Sequence, residues 1–380
     1  MRPDEVTVGG LAGDPHPILA GLREGWGAVV DVDALDGWLV VGREAAVEVL
    51  RDAATYTVDD PRFSTARVVG PSMLSLDGPS HDRHRSPFAD AFGRDEVHRR
   101  LAVSTRERAR GAVASVASAG GGDLRRDLAA PLAAGVMADA LDLGDTSVAR
   151  LVRWYEDIAA AVEAVTAGGP VPEEGSTAVA ELRDAVLAAF PTSALLSRVQ
   201  ETSDLAPEEL VADVAVLLFG GIVTVEGQIA ILMRDVLTRP GLWDRLRADR
   251  ALVPAVVDES MRLEPAAAVV DRYATTDVAL AGESVDAGDL VRVSLSAANR
   301  DPASFADPDV FDPGRDGLRR HLTFARGPHA CLGVHLARLE AETALAAVLE
   351  GPGVPAPDGP LPPVEGLVFR TPRSVPVAWR

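Results

Sequence analysis

Hydrophobic positions recur at helical spacing over most of the chain. Residues 95–190 are rich in alanine and predict helices, interrupted by turn-forming segments at 118–122 and 167–175. Apolar runs typical of short strands occur at 28–32, 38–41, 269–274 and 290–296. The pattern predicts a mainly α fold with a minor β component, and we expect one domain over residues 1–380.

The most hydrophobic part of the chain is a predicted long helix over residues 206–237. Pro207 suits its first turn, and Pro240 lies just beyond its end. Its middle, LLFGGIVTVEG, is apolar on nearly every face, so we expect it to be buried. Gly220 and Gly221 each destabilise a helix by about 1 kcal/mol relative to alanine. Their presence indicates that something close to the helix needs the room.

Composition is that of a globular protein from a reducing compartment. The 380 residues include 37 Lys+Arg and 57 Asp+Glu, and the net charge of -20 argues against a coat for nucleic acid or anionic membranes. A single cysteine excludes an internal disulfide and a multi-cysteine zinc site. No signal peptide is evident, and the apolar run at 214–225 is too short to cross a bilayer. We expect a cytoplasmic monomer that binds neither nucleic acid nor membrane.

The segment richest in chemical information is FARGPHACLG, which starts at Phe324 and leads into an apolar helix. One interpretation is that Cys331 is a small buried hydrophobe. A metal thiolate fits better, because the sulfur lies just before a predicted helix N-terminus, where backbone N–H groups favour negative charge. Gly327 and Gly333 let the backbone approach a flat partner. Phe324 offers an apolar wall, and His329 adds a polar group two residues from the sulfur.

This pattern, Phe-x-x-Gly-x-His-x-Cys-x-Gly followed by Leu-Ala-Arg, resembles the haem-binding loop of the cytochromes P-450, although Ala325 stands where that family usually has glycine. Other family segments occur in the same order along nearly the whole chain. The resemblance implies the cytochrome P-450 fold, with a long central helix over the haem, and haem b (iron protoporphyrin IX) ligated by the Cys331 thiolate. It also implies a structural network of Glu259 and Arg262, which share a helix face, with Arg315.

Haem carries two propionates, so the resemblance also implies cationic groups that bind them. The family has an HxxxR pair on one helix face, an arginine on the strand after the Glu–Arg helix, and a histidine in the cysteine loop. The matching residues are His81, Arg85, Arg272 and His329. We expect His84 and His98 to be ordinary surface histidines.

The long helix carries the oxygen-activation motif of the family only in part. That motif is a small residue, Gly, any residue, an acid and Thr; the residues here are Gly220, Gly221, Ile222, Val223 and Thr224. In the family the small pair leaves room for dioxygen, and the Thr hydroxyl helps to deliver protons. Val223 cannot relay a proton, and Glu226 lies about 200° around the helix from Thr224. This departure leaves room for peroxide-driven or C–C/C–N coupling chemistry beside hydroxylation.

By family placement, a substrate pocket is formed from residues 62–74, 218–225, 266–270 and 366–371. The side chains there are mostly aliphatic, so we expect an apolar pocket for a small-molecule substrate. Its predicted lining is Val68, Val69, Leu218, Ile222, Ala266, Val269 and Phe369. We expect Arg62 and Arg370 to be exposed rather than to anchor the substrate.

Electrons must come from another protein, because the chain has no flavin or nicotinamide fingerprint and no iron–sulfur cysteines. Resemblance to the soluble bacterial members implies a ferredoxin and a ferredoxin reductase as donors. Ferredoxins are typically acidic, so we expect a local cationic cluster despite the net charge of -20. The candidates are Arg83, Arg94, Arg99, Arg100, Arg326 and Arg338.

The sequence therefore predicts a cytochrome P-450 monooxygenase, a haem-thiolate oxidoreductase that activates dioxygen to oxidise a small apolar metabolite in secondary metabolism. Val223 motivates the alternative of a peroxide-driven or bond-coupling member of the same family. A haem-binding sensor without turnover is a third hypothesis, against which Thr224 argues. A helical scaffold without a cofactor is the fourth, and a colourless purified protein would support it.

Overall fold

The computed structural model describes residues 1–144, 146–166 and 169–380, and its helices follow the predicted pattern. The predicted long helix spans Pro207–Thr238, with Glu208 and Glu209 in its first turn, where acidic side chains complement the helix dipole. In chain order the helices of the described residues are α1 (Val8–Ala12), α2 (His16–Trp26), α3 (Arg43–Arg51), α4 (Ser64–Val69), α5 (Gly78–Ala89), α6 (Arg94–Ser118), α7 (Ala130–Ala140), α8 (Val148–Thr166), α9 (Glu173–Ala189), α10 (Ala194–Thr202), α11 (Pro207–Thr238), α12 (Leu242–Ala248), α13 (Val253–Leu263), α14 (Leu295–Ala298) and α15 (Val334–Glu350).

The strands are short, which confirms the prediction of a mainly α fold with a minor β component. The strand predicted at 269–274 forms over those residues. The strands of the described residues are β1 (Val29–Val32), β2 (Gly37–Val40), β3 (Tyr56–Thr57), β4 (Gly121–Asp123), β5 (Val269–Ala274), β6 (Val278–Leu280), β7 (Glu283–Val285), β8 (Leu290–Ser294), β9 (Pro355–Pro357), β10 (Val364–Glu365), β11 (Thr371–Pro372) and β12 (Pro376–Trp379).

The turn predicted at 167–175 is shorter than expected. Helix α9 already begins at Glu173, because Pro172 at its N-cap is extended and the acidic pair Glu173 and Glu174 suits a first turn. Ala167 and Gly168, which belong to the same predicted turn, lie outside the described residues.

The chain divides into two compact units. We call the first the mixed unit; it consists of Met1–Val58, Gly227–Cys331 and Pro355–Ala378. We call the second the helical unit; it consists of Asp59–Glu226, Leu332–Val354 and Trp379–Arg380. The first twenty residues of α11 therefore belong to the helical unit, and the rest belong to the mixed unit.

The mixed unit is organised by a five-stranded sheet with the order β1-β2-β8-β5-β3. Strand β2 runs parallel to β8, whereas the other neighbours are antiparallel, and Val270 of β5 lies opposite Val293 of β8. Buried aliphatic side chains from these strands and from α3 form its main hydrophobic core. A second core lies between α2 and the strands β1 and β2. This sheet sets the position of Arg272 and of the 266–268 segment before β5.

The helical unit is built by helix packing. Helix α6 packs against α15 and α7, and α8 packs against α9, α4 and α7. Helix α11 is long and apolar enough to span a membrane, yet 78% of its most hydrophobic window is buried inside the protein. Burial of that kind is typical of the core helix of a globular protein.

Candidate active site

Cys331 ends a tight loop of the mixed unit. Its amide donates to the Phe324 carbonyl at 2.9 Å, and the amide of Ala330 donates to the Gly327 carbonyl at 3.1 Å. The loop is thus closed by its own backbone, and along the chain α15 begins three residues later at Val334. The Cys331 side chain is exposed, although cysteine is among the most buried residue types. The sulfur is therefore held by an ordered loop and remains accessible.

Two residues of this loop adopt left-handed backbone conformations. Gly327 has φ 76°, and a Cβ at this position would overlap the Leu50 carbonyl. Ala325 has φ 53°, a conformation that destabilises an L-residue by about 1 kcal/mol. The strained geometry gives a physical reason for the glycine that the family usually has at this position.

The donor set fits a metal whose other ligands come from a macrocycle. Within the described part of the chain, no group of three or more His, Cys, Asp or Glu side chains is arranged to hold a metal ion. Cys331 supplies one accessible sulfur, which matches the single axial thiolate that a haem iron takes from protein. The residues present are therefore compatible with haem and not with a protein-only metal site.

A buried ionic network supports the residues that lead to the cysteine loop. Glu259 and Arg262 are both fully buried and are joined by hydrogen bonds of 2.7 and 2.8 Å. Glu259 also accepts the Asp312 amide at 2.8 Å and lies 3.5 Å from the Arg315 Nε. Arg262 donates to the Asn299 carbonyl at 2.8 Å. Such a pair is stable when buried because its remaining donors and acceptors have partners.

Asn299 connects this network to the cysteine loop, and the sequence analysis missed it. Its side chain accepts the Leu322 amide at 2.6 Å and donates to the Thr323 hydroxyl at 3.1 Å. The Thr323 hydroxyl in turn donates to the Met261 carbonyl at 2.8 Å. Asn299 is fully buried at the C-terminal end of α14, and an uncharged amide gave no signal of its own in the sequence.

The four residues predicted to bind propionates lie on both units. Arg272 is buried on β5 of the mixed unit, and His329 is half-buried in the cysteine loop. His81 is buried and Arg85 half-buried, one turn apart on α5 of the helical unit. Their chemistry suits carboxylate binding, since histidine and arginine form charge-assisted hydrogen bonds to carboxylates.

One strip of α11 in the helical unit stays accessible although its neighbours are buried. Gly220 is exposed, and Val223 and Thr224 are half-buried; we call these three residues the open strip. A Cβ on Gly220 would meet no atom within 4 Å. The Thr224 hydroxyl donates to the Gly220 carbonyl at 2.6 Å, the bond to the preceding turn that a helical Thr readily forms.

The adjacent Gly221 has a different role. A Cβ at Gly221 would overlap the Met137 sulfur and lie 2.9 Å from the Met137 Cγ and Cε. Gly221 therefore allows α11 to pack closely against α7. The family resemblance predicted that both glycines leave room for dioxygen, whereas the structure shows open surroundings at Gly220 and tight packing at Gly221.

The opposite side of α11 is packed. Leu218, Ile222 and Glu226 follow one another at four-residue spacing, and all three are buried; we call them the packed side. Leu218 and Ile222 border a small apolar cavity that is also lined by Trp154 and Tyr155 of α8. The predicted pocket residues on this helix thus face α8.

Glu226 is the acid nearest to Thr224 along α11, and it is fully engaged. Its carboxylate accepts Arg125 Nε at 2.7 Å and forms a short hydrogen bond with the Tyr155 hydroxyl. Burial and the neighbouring Glu226 charge raise the pKa of Tyr155 far above its usual range. The hydroxyl therefore stays protonated and donates to Glu226, which agrees with the expectation that this acid does not replace the one missing at Val223.

His84 is not a surface residue, and that expectation was wrong. It is 2% exposed, and its Nδ1 lies 2.8 Å from Oδ2 of the fully buried Asp213. Burial raises the pKa of Asp213, although the bond to His84 and the Met73 amide oppose the rise. The polar run HDRHR suggested a solvated helix face, but His81 and His84 lie one turn apart on the inward face of α5.

The expectation that Arg370 is exposed was also wrong. Arg370 is 2% exposed in the mixed unit, and its Nε donates to Glu264 at 2.5 Å. Its other nitrogens donate to backbone carbonyls, including Gly366 at 2.8 Å. Burial opposes ionisation of Glu264, but hydrogen bonds from His16 and Arg370 hold its pKa at about 2. Arg370 therefore fastens backbone segments together and is not placed to anchor a substrate.

The remaining pocket predictions lie where backbone segments pair. In the mixed unit, the buried Ala266 accepts the Arg370 amide at 2.8 Å, and Ala267 bridges the half-buried Phe369. Val269 is half-buried at the start of β5. In the helical unit, Val69 is buried and Val68 half-buried at the end of α4. Arg62 is exposed, as expected, and pairs with Asp60 at 2.8 Å.

Comparisons with known proteins identify the family of this chain. The cytochrome P-450 family model matches residues 182–354. The chain is 33% identical over 367 residues to nocardicin C N-oxygenase of Nocardia uniformis subsp. tsuyamanensis, covering 90% of both chains. It is also 33% identical over 361 residues to the mycinamicin IV hydroxylase/epoxidase of Micromonospora griseorubida, again over 90% of both.

The fold is also similar to that of a solved structure. The crystal structure of a post-tailoring hydroxylase involved in himastatin biosynthesis matches with a TM-score of 0.83 and 28% identity, over 97% of this chain and 98% of that one. Sequence identity of one third along nine-tenths of each curated relative settles the family. The protein belongs to the bacterial cytochromes P-450 and is a haem-dependent cytochrome P-450 monooxygenase.

Proposed function

We propose that this monooxygenase oxidises a small apolar metabolite in secondary metabolism, at a haem ligated by Cys331. The observation that carries the proposal is the accessible Cys331 sulfur in a loop closed by the Phe324 carbonyl. The names of the relatives support the substrate class, since they act on nocardicin C and mycinamicin IV or in himastatin biosynthesis. The aliphatic side chains of the predicted pocket support an apolar substrate.

Haem, when bound, supplies the redox chemistry that activates dioxygen. In our proposal the Cys331 thiolate holds the iron, and Phe324 and Gly333 flank the cofactor. The propionates are bound by His81, Arg85, Arg272 and His329. The network of Glu259, Arg262 and Arg315 keeps the residues before the cysteine loop in place and takes no part in proton transfer.

Thr224 is the residue that handles protons in this proposal. Its hydroxyl lies on the open strip of α11 and at present donates to the Gly220 carbonyl. A hydroxyl can accept one proton while it donates another, so Thr224 can pass protons from water to a substrate-side acceptor. Glu226 cannot supply them directly, because Arg125 and Tyr155 occupy its carboxylate.

A peroxide-driven or C–C/C–N coupling reaction is the second candidate, and Val223 favours it. This apolar residue is half-buried on the open strip, where the family usually has an acid. Peroxide already brings the protons and electrons that dioxygen activation requires. A chain without the helix acid therefore depends less on proton delivery if it uses peroxide.

We propose a ferredoxin and a ferredoxin reductase as the electron donors. In the mixed unit, burial lowers the pKa of Arg43, and the nearby Arg326, Arg320 and Arg51 lower it further, as in a cationic cluster. Attraction between such a cluster and an acidic ferredoxin would speed their association. Among the other arginine candidates, Arg83, Arg99 and Arg100 are less suitable, because they pair with acidic side chains.

The helical unit adds a second group of cations. Burial lowers the pKa of His335, and the neighbouring Arg94, Arg338 and His98 lower it further. We infer that Arg94 and Arg338 contribute to docking of the ferredoxin.

We also propose that the protein acts as a cytoplasmic monomer with residues 1–380 as one catalytic domain, which is supported by relatives matched over 90% of the chain.

A spin-state titration tests the function. The purified ferric protein is titrated with terpenoids, macrolides, indoles, cyclic dipeptides and short peptides, and the Soret band reports displacement of water from the iron. Each ligand that shifts the band is then turned over with ferredoxin, reductase and NADH, or with hydrogen peroxide. Product from the partner system supports monooxygenation, whereas product from peroxide alone supports the second candidate.

Val223→Asp is the matched variant for this choice. It restores an acid to the open strip, so it should increase product per NADH in the partner system and leave the peroxide reaction unchanged. Background oxygen consumption in the partner system, together with no product from peroxide, for every ligand that shifts the spin state would contradict catalysis.

A further inference from the structure

A buried histidine–aspartate pair of the helical unit holds a loop whose central turn is uncharged. The loop spans residues 70–77, between α4 and α5. Asp213 of α11 accepts the Met73 amide of this loop at 2.7 Å with Oδ1 and the His84 Nδ1 at 2.8 Å with Oδ2. Asp213, His84 and Met73 are all at least 96% buried. Both oxygens of one buried carboxylate are thus shared between the loop and α5.

The loop is compact around the point of attachment. The Ser72 amide donates to the Ser75 hydroxyl at 3.1 Å, and the Ser75 amide donates to the Ser72 carbonyl at 3.0 Å. Both serines are buried beside Met73. A small closed turn of this kind moves as one body, so a bond at Met73 fixes the whole turn.

The attachment lies on the same side of α11 as the open strip. Gly220 and Thr224 follow Asp213 by seven and eleven residues, and at about 100° per residue both return to within about 20° of its direction. The loop also follows directly after Val68 and Val69, which our proposed function assigns to the substrate pocket. The buried pair therefore connects a predicted pocket segment to the helix side that carries Thr224.

The burial of Asp213 makes displacement of the loop unfavourable. A buried carboxylate is tolerated only while its oxygens have hydrogen-bond donors. If the loop moved away, Asp213 would lose one of its two hydrogen-bond donors. The loop is therefore held more firmly than a hydrogen bond between neutral groups would hold it.

A neighbouring pair offers a natural control. Arg83 precedes His84 on α5, and Glu209 precedes Asp213 by one turn on α11. Nη1 and Nη2 of Arg83 each donate to a carboxylate oxygen of Glu209 at 2.8 Å, and both side chains are about one third exposed. This pair links the same two helices and lies beside the other ring nitrogen of His84, with Nε2 3.4 Å from Arg83 Nη1 and 3.7 Å from Glu209 Oε1, but it forms neither of the hydrogen bonds to Asp213.

We propose that Asp213 and His84 are positioning residues that clamp the 70–77 loop to α11 and so limit the entry of bulky ligands to the substrate pocket. The clamp itself rests on the geometry above. Its effect on ligand entry rests on the proposed function, because the pocket assignment of Val68 and Val69 comes from there.

Hydrogen exchange in the ferric holoenzyme tests the clamp. Asp213→Ala removes the acceptor of the Met73 amide, so exchange in the peptide that covers 70–77 should accelerate about tenfold or more. Glu209→Ala breaks the control pair and should change that exchange less than about twofold. Unchanged exchange in Asp213→Ala, or equal acceleration in both variants, overturns the clamp.

A double variant protects the test against misfolding. His84→Leu/Asp213→Leu replaces the pair with apolar side chains of similar size, which removes the buried charge but still leaves the Met73 amide without its acceptor. Acceleration confined to 70–77 in this variant supports the clamp. Acceleration spread over α5 and α11 as well contradicts it.

Ligand association separates the two parts of the proposal. Imidazole and the bulky azole clotrimazole are mixed with ferric protein, and the Soret shift gives both association rates. Asp213→Ala should accelerate clotrimazole about fivefold or more and leave imidazole within about twofold of wild type. Faster exchange with an unchanged clotrimazole rate overturns the role in ligand entry. Normal imidazole binding in that same variant shows that the haem assignment stands independently of that failure.

Discussion

The two sides of helix α11 in the helical unit belong to one stretch of sequence and have opposite surroundings. On the packed side, Ile222 is 1% exposed against α8, and Glu226 is held by Arg125 and Tyr155. On the open strip, Gly220 is exposed, and the Thr224 hydroxyl donates to the Gly220 carbonyl in the preceding turn of the same helix. Hydropathy does not distinguish the sides, because both belong to one apolar run. The difference comes from what packs against each side.

The two sides of α11 also differ in whether they carry an acidic side chain. The acid of the packed side is paired and serves packing, whereas the open strip has Val223 at the position of the usual acid. A helix can thus retain a buried carboxylate close in sequence to Thr224 while other side chains occupy both of its oxygens. Substitutions on the two sides should consequently affect different properties.

Glu226→Gln should produce the largest loss of stability. The amide cannot balance the Arg125 charge, and it accepts the Tyr155 hydroxyl more weakly, so the free energy of unfolding should fall by about 2 kcal/mol after allowance for the partial exposure of Arg125. Urea unfolding of the holoenzyme measures the change. Glu208→Gln, an exposed acid of the first turn, is the control and should cost less than about 0.5 kcal/mol. Equal losses in the free energy of unfolding in both variants would show that the buried contacts of Glu226 add no stability beyond that of an exposed acid.

Gly221→Ala should be the next most damaging change. Its Cβ would overlap the Met137 side chain, so overpacking should destabilise the protein by about 1–2 kcal/mol despite the better helix propensity of alanine. Thermal unfolding measures the loss. In the Met137→Ala background the same substitution should cost less, since the overlap is gone; a cost that persists undiminished would refute the packing explanation.

Gly220→Ala should stabilise the protein, although Gly220 is adjacent to Gly221. No atom lies within 4 Å of the new Cβ, and alanine favours the helix by up to about 1 kcal/mol. Unfolding under the same conditions as for Gly221→Ala measures the difference between the two glycines. Destabilisation of similar size in both variants would show that the open strip is not open.

Thr224→Ala should change stability least and coupling most. The hydroxyl bonds to a carbonyl of its own helix, so its loss should change the free energy of unfolding by less than about 0.5 kcal/mol. If Thr224 passes protons, the fraction of NADH electrons released as hydrogen peroxide should rise several-fold in the presence of a bound substrate. Thr224→Ser keeps the hydroxyl and should retain most of the coupling. Unchanged coupling in Thr224→Ala would mean that protons arrive by another route.

Local patterns explain why much of the architecture was predictable. The cysteine loop and the Glu259–Arg262 pair are short motifs, and the limits of α11 follow from Pro207 and Pro240. The strand at 269–274 stands out through its run of β-favouring residues. In each of these cases the feature, or each of its ends, is defined by residues that are close together along the chain.

Partners distant in sequence explain what the sequence did not reveal. His84 and Asp213 are 129 positions apart, and Tyr155 and Glu226 are 71 positions apart, so no spacing rule connects them. Asp213 and Glu226 lie within a largely apolar helix, which did signal that each needs a partner, but not which one. Arg370 was harder still, because most of its partners are backbone carbonyls, which every sequence contains.

The ligation of the iron by Cys331 is the central claim, and the spectrum of the reduced carbon monoxide complex tests it most directly. For the wild-type protein we predict the long-wavelength Soret band that thiolate ligation produces. Cys331→Ala should lose this band, while His329→Ala, which changes the same loop without removing the sulfur, should keep it. A Cys331→Ala protein that binds haem and retains the wild-type band would contradict the account.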